Sequence, residues 1–118
     1  MDTTVFCTFR QTGFHSWPDA PESYKYLSYP HRHEFHIRVD VRVSFDDRQI
    51  EFIALKRMCQ GALGAMASGL AWEHLDFGAR SCEMMAKALC KKLVALGYNV
   101  DSVEISEDGE NGARFKRL

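Results

Sequence analysis

The chain has 118 residues, of which 46% are hydrophobic and 26% charged, and its formal net charge at pH 7 is -1. We expect one soluble globular domain over residues 1–118, and the balanced charge does not predict a nucleic-acid or membrane surface. No apolar run approaches the roughly 18 residues of a membrane span, and the first residues lack the basic region and apolar core of a secretory signal, so a cytoplasmic protein is predicted.

The N-terminal quarter of the chain predicts a strand followed by a long loop. Thr3 to Arg10 alternates between Val5, Cys7 and Phe9 on one side and polar or aromatic residues on the other, which is typical of a strand. Residues 11–30 contain all three prolines together with serines and aromatics, which fits an ordered loop. His15 lies near the start of that loop.

The clearest alternation in the chain runs from His31 to Phe45 and predicts a long, half-buried strand. Every odd position from Phe35 onward is apolar, whereas the even positions are mostly charged or polar. Asp46 to Arg48 then predict a turn, and Gln49 to Phe52 a short antiparallel return strand.

The second half predicts two helices and a closing strand. Apolar residues at helical spacing favour a first helix from about Ile53 to Ser68. A second helix is predicted from about Ser81 to Leu96, with Ser81 able to cap it and Gly97 to end it. Val103 and Ile105 then alternate with polar residues over Ser102 to Glu107. Strands before and after a helical pair indicate an α+β domain in which helices cover one face of an antiparallel sheet.

The cysteines do not form a recognisable thiolate site. The chain has four cysteines, Cys7, Cys59, Cys82 and Cys90, and no two of them form a Cys-x-x-Cys pair. We therefore expect reduced thiols, and only nitrogen ligands for any metal. Cys82 differs from the others because it sits beside Ser81 at a helix N-terminus, where a thiolate is favoured.

Three histidines form the pattern most indicative of function. In a strand, His31 and His33 direct both imidazoles to the same side, where one metal ion can bind both. With His15 as a third ligand, a tetrahedral zinc would keep one position open, as catalytic zinc sites do. His36 has the opposite parity and is not expected to be a ligand.

Together with other motifs, these histidines resemble the 6-pyruvoyltetrahydropterin synthase and 6-carboxytetrahydropterin synthase family over nearly the whole chain. Its first histidine and His-Gly-His pair match His15, His31 and His33, and its helix-opening motifs match IEFIALK and RSCEMMAKAL. VEISED matches the strand whose glutamate holds the pterin. The resemblance implies the tunnelling fold: a four-stranded antiparallel sheet with two helices on one face, assembled as a trimer or hexamer into a barrel with active sites at subunit interfaces.

The family's chemistry implies a role for each matching residue. His15, His31 and His33 would bind Zn²⁺, and the small-molecule substrate would be 7,8-dihydroneopterin triphosphate or a related reduced pterin. The Glu107 carboxylate would accept two parallel hydrogen bonds from the edge of the pterin ring. Ser81 would contact the substrate through its hydroxyl, or would only cap its helix.

The proton-transfer residues depart from the family pattern. The family carries a cysteine base four residues before its histidine pair, and this chain has Leu27 at that position. Counting forward from His15 instead gives Tyr26. Neither residue is a suitable base at neutral pH. Glu22 is a nearby carboxylate with an offset that matches poorly.

Glu73 and His74 match the family's Asp-His dyad, with His74 as general acid or base and Glu73 orienting it. Asp76 is a competing partner. Because the cysteine is missing, two alternatives to a pterin synthase-like lyase stay open: a divergent enzyme with another purine-like or pterin-like substrate, and a non-catalytic protein that binds zinc and a ligand.

Overall fold

The computed structural model describes residues 2–71 and 74–118, without the side chains of residues 69–71. These residues form an α+β domain, which confirms the predicted class. In chain order the elements are β1 (Thr3–His15), a 3-10 helix (Glu22–Ser28), β2 (His31–Val43), α1 (Phe52–Ala65), β3 (Ser68–Ala71), β4 (His74–Asp76), α2 (Cys82–Ala95), β5 (Val100–Glu107) and β6 (Asn111–Lys116).

The described strands form one six-stranded sheet with the order β3-β4-β1-β2-β5-β6. The prediction of a four-stranded antiparallel sheet is therefore wrong in two respects. The sheet has further strands at one edge, and β4 pairs with β1 in parallel, so that the sheet is mixed. Sequence patterning missed β3 and β4 because they span only four and three residues, too few to show an alternation.

The centre of the sheet is a long antiparallel pairing of β1 and β2. Its register runs without interruption from Thr3 opposite Val43 to His15 opposite His31. The predicted first strand ended at Arg10, whereas β1 continues to His15, so His15 is a strand residue with its neighbours in register and not a loop residue.

The core lies between one face of this sheet and the two α helices. Because side chains alternate across a strand, the odd-numbered residues of β1 and β2 share the buried face with those of β5 from Val103 onward, past a register shift at the start of β5. Its members include Cys7, Phe9, Phe35, Ile37, Val39, Val41, Val103 and Ile105, packed with Leu55, Cys59 and Leu63 of α1 and Met85, Leu89 and Leu93 of α2.

Side-chain caps fix where both α helices begin. The Glu51 carboxylate accepts hydrogen bonds from the backbone N–H groups of Ile53 and Ala54, so α1 begins at Phe52 and the predicted return strand over Gln49 to Phe52 is wrong. The Ser81 hydroxyl accepts a 3.2 Å hydrogen bond from the Met84 N–H and caps α2 as expected.

None of the helices in the described ranges is long and apolar enough to cross a membrane.

Candidate metal centre

The structure brings His15, His31 and His33 together at one end of the buried sheet face. His15 ends β1 directly opposite His31, and His33 follows two residues later on the same side of β2. The ring centroids are 4.6 Å apart for His15 and His31, 5.3 Å for His15 and His33, and 5.1 Å for His31 and His33. The strand register alone therefore assembles three imidazoles from two segments of the chain.

Backbone carbonyls orient two of the three imidazoles. His15 Nδ1 lies 2.9 Å from the Arg80 carbonyl oxygen, and His31 Nδ1 lies 2.9 Å from the Tyr29 carbonyl oxygen. Since a carbonyl oxygen can only accept, each Nδ1 carries the proton and donates it. In the neutral ring, Nε2 then keeps its lone pair, which is the form in which histidine binds a metal.

A carboxylate orients the third imidazole. His33 Nδ1 lies 2.8 Å from Asp108 Oδ2, and the other oxygen of Asp108 accepts the Glu34 N–H at 3.0 Å. The Glu34 N–H, followed by the contact with His33, lowers the pKa of Asp108 below its ordinary value. An ionised Asp108 thus fixes His33 with Nε2 free, which is the usual outer-shell arrangement of a metal-binding histidine.

Glu107 completes a group of four candidate donors. One ligand atom from each histidine and one Glu107 oxygen all lie within 4.8 Å of one another. Glu107 Oε2 is 2.7 Å from His15 Nε2 and 3.4 Å from His33 Nε2. Imidazole nitrogens with a carboxylate oxygen are a donor set that suits Zn²⁺.

His15 Nε2 provides an independent indication that a cation fits here. His15 is only 7% exposed, and its Nε2 is buried without a hydrogen-bond partner among the described residues. Burial lowers the pKa of His15, against the opposing effects of the Arg80 carbonyl and Glu107, so the neutral imidazole is favoured. A metal ion bound here would accept the buried lone pair of His15 Nε2 and offset the negative charge of the facing carboxylate oxygen.

His74 of the predicted catalytic dyad does not reach this cluster within one chain. His74 is exposed in β4, and its ring contacts Phe14 edge-on at 5.9 Å. Phe14 has the opposite parity to His15, so His74 lies on the other face of the sheet. Glu73 lies outside the described residues. The competing partner Asp76 accepts the Gly78 N–H at 2.8 Å.

Ser81 and Cys82, at the start of α2, have structural contacts in this chain. The Ser81 hydroxyl caps the helix, which was the alternative to substrate contact, and its role toward a substrate stays a prediction. Cys82 is buried, and desolvation raises its pKa to about 12. The raised pKa, to which Glu107 and Glu83 also contribute, favours the neutral thiol over the thiolate considered at this helix N-terminus.

The three residues considered as replacements for the family's cysteine lie in the 3-10 helix at Glu22–Ser28. Tyr26 is 68% exposed and Glu22 is exposed as well. The Leu27 carbonyl accepts the Trp17 N–H at 2.8 Å, which closes the loop. Glu22 is not part of the group of candidate metal ligands found among the described residues.

Sequence reasoning missed the outer shell of this centre. Asp108 looked like one carboxylate in the acidic turn from Glu107 to Glu110, and the positive φ of 57° that lets it face β2 is not visible in the sequence. The only available signal was Asp108-Gly109 between two strands, which is typical of a tight hairpin turn. The carbonyls of Tyr29 and Arg80 have no sequence signature.

Comparison with solved structures shows the fold. An uncharacterized protein from Wolinella succinogenes aligns with a TM-score of 0.71 and 12% identity, covering 100% of this chain and 99% of that one. The 6-pyruvoyl tetrahydropterin synthase of Caenorhabditis elegans aligns with a TM-score of 0.67 and 12% identity, covering 100% of this chain and 97% of the enzyme. This chain has the fold of that enzyme. No protein-family model and no curated protein sequence matches it.

Proposed function

We propose that this protein is a zinc-dependent lyase of the pterin synthase type, acting on 7,8-dihydroneopterin triphosphate or a related reduced pterin. The observation that carries the proposal is the cluster of three imidazoles, which offer ligand atoms within 4.8 Å of one another on rings whose Nδ1 atoms already have acceptors. The similarity of the whole chain to the Caenorhabditis elegans enzyme in fold supports the choice of substrate class.

His15, His31 and His33 would hold the metal. A bound Zn²⁺ would act as a Lewis acid that polarises substrate oxygens and lowers the pKa of the side-chain hydroxyls. The Nδ1 contacts to Arg80, Tyr29 and Asp108 keep the three rings in fixed orientations, so that little reorganisation is needed when ligands bind. Glu107 would hold the amide-like edge of the pterin ring through paired hydrogen bonds.

Proton transfer would require a second copy of the chain. His74 lies on the face of the sheet away from the cluster, so it could act as general acid or base only in the site of a neighbouring subunit, with Glu73 orienting it. We therefore propose a homo-oligomer, a trimer or hexamer, with sites between subunits. The molecular mass in solution, measured by light scattering, tests this point, and a monomer would contradict it.

A second candidate function is supported by a specific observation. No cysteine occupies the family's base position, and the residues that stand there are an exposed tyrosine and a leucine. A protein with this arrangement could bind zinc and a pterin-like or purine-like ligand without turnover, or could act on a different substrate whose reaction does not need the cysteine.

The test combines metal analysis with an activity assay. Protein purified without chelators should contain about one zinc per chain, and a His31→Ala, His33→Ala variant should contain none; equal zinc in both would contradict the metal site. Incubation with 7,8-dihydroneopterin triphosphate should then release triphosphate and yield a new pterin absorbance spectrum. If zinc is present and neither product forms, the lyase proposal is wrong and the binding function remains.

A further inference from the structure

Glu107 has two competing uses in this site. As a pterin anchor, its carboxylate would face a bound ring. In this structure, however, Oε2 points among the imidazoles, 2.7 Å from His15 Nε2 and 3.4 Å from His33 Nε2. The same carboxylate is thus placed where a fourth metal ligand would be.

One of these two distances fits shared coordination of a metal. Two donors bound at about 2.0–2.1 Å to a tetrahedral zinc lie roughly 3.3–3.4 Å apart, which agrees with the 3.4 Å between His33 Nε2 and Glu107 Oε2. The 2.7 Å between His15 Nε2 and Glu107 Oε2 is shorter than that spacing and would lengthen when both atoms bind one metal. The geometry of this contact is not that of a hydrogen bond, since this nitrogen has no hydrogen-bond partner among the described residues. Two facing acceptors at this distance repel each other unless a cation lies beside both.

We propose that Glu107 is the fourth metal ligand in the substrate-free protein, and that it must leave the metal before a substrate oxygen can bind there. Glu107 would then act as a gate: it closes the site at rest and moves to the ring edge when a pterin enters. This inference rests on the proposed metal site and adds to it a resting state without an open position.

The local structure allows the Glu107 side chain to move while its backbone stays in place. The neighbouring Asp108 is fixed to β2, since its N–H donates to the Glu34 carbonyl at 2.8 Å and its carboxylate accepts from Glu34 and His33. Glu107 can therefore move from the metal to the ring edge by rotation about its side-chain bonds alone. Glu107 is also the more accessible partner, with its side chain 29% exposed against 9% for His15.

Cobalt substitution can test the gate directly. Co²⁺ would be bound to the metal-free wild-type protein and to Glu107→Gln and Glu107→Ala variants, and visible absorption would be recorded while azide is added as a probe for an open coordination position. Glu110→Gln is the matched control, because it removes an exposed carboxylate from the same turn. Thermal unfolding of the metal-free proteins would establish that each variant is folded.

We expect the wild-type and Glu110→Gln spectra to be unchanged by azide, and both Glu107 variants to shift on its addition. Cobalt affinity should fall about tenfold or more in the Glu107 variants, because loss of even an outer-shell partner costs that much. If azide changes the wild-type spectrum as strongly as those of the Glu107 variants, and all four proteins bind cobalt equally, the gate is wrong while the three-histidine site stands. If folded wild-type protein does not bind metal, both the gate and the proposed function are wrong.

Discussion

The two ends of the β1–β2 pairing share one sheet face but differ in chemistry. Toward one end, Phe35, Ile37, Val39 and Val41 are at most 1% exposed and pack against the helices. At the other end, the same alternation places His15, His31 and His33 inward, where they contact one another. The same alternation of side chains along β1 and β2 therefore places the hydrophobic core and the candidate metal centre on one face. Substitutions at either end test how far the two depend on each other.

Phe35 lies between the hydrophobic core and the candidate metal centre, and its replacement is expected to have the largest effect on stability. Its ring is fully buried, and its centroid lies 5.2 Å from that of the His15 ring and 5.4 Å from that of the Phe77 ring. Phe35→Ala should lower the free energy of unfolding by about 3–5 kcal/mol and should also weaken zinc binding, because His15 loses a packing partner. Urea unfolding and zinc titration measure the two effects.

Ile37→Ala is the matched control for the boundary, because Ile37 lies one step further into the core opposite Phe9. It should cost about 2–5 kcal/mol of stability and leave zinc affinity unchanged in the folded protein. Equal losses of zinc affinity in the two variants would show that the core and the metal centre form a single unit.

Asp108→Asn should act on the metal end alone. Two carboxylate oxygens of Asp108 serve the His33 Nδ1–H and the Glu34 N–H, whereas an asparagine has only one acceptor oxygen for both. We expect zinc affinity to fall roughly 10- to 100-fold, measured by competition with a chromophoric chelator. An unchanged affinity would mean that Asp108 does not orient a metal ligand.

Asp101→Asn should have the smallest effect and only at the far end of the sheet. Asp101 accepts hydrogen bonds from Arg42 at 2.9 Å and Lys116 at 3.2 Å, and these contacts lower its pKa below the ordinary 3.8. For this partly exposed pair we expect a loss below about 1 kcal/mol at pH 7 and no change in zinc binding.

The pH dependence of that loss has a definite sign. A carboxylate whose pKa is lowered on folding stabilises the protein above its unfolded pKa, and the effect disappears as the pH falls through the folded value. The difference between wild type and Asp101→Asn should therefore shrink as the pH drops below 3.8. Urea unfolding at several pH values measures it, and a gap that widens in acid would contradict the assignment.

The features that sequence predicted well are those that depend on a long period. The odd positions of β2 predicted both the core residues and the shared side of His31 and His33, because thirteen residues of alternation leave little ambiguity. The end of α1 was wrong by a few residues, and Gln49 to Phe52 was misassigned, because the Glu51 cap competes with a short strand pattern. The weaker predictions concern short segments.

The sequence predicted the candidate metal ligands but not the groups that orient them. His15 was expected in a loop, although its position depends on an extension of β1 that only the pairing with β2 reveals. Asp108 contacts His33 only because of the conformation of its turn. The Tyr29 and Arg80 carbonyls accept hydrogen bonds from His31 and His15 because of where the backbone lies, which does not depend on their side chains. His74 matched a motif, but which face of the sheet it occupies was decided by the parallel pairing of β4.

The spread of the four donors over β1, β2 and β5 has a consequence for assembly of the sheet. A metal bound to His15, His33 and Glu107 would crosslink segments far apart in sequence, and it would stabilise only the native state, by about 2.7 kcal/mol when the free ion is at 100 times its dissociation constant. A slip of one residue between β1 and β2 would send His31 and His33 to the opposite face. The ion would thus penalise misregistered pairings as well as unfolding.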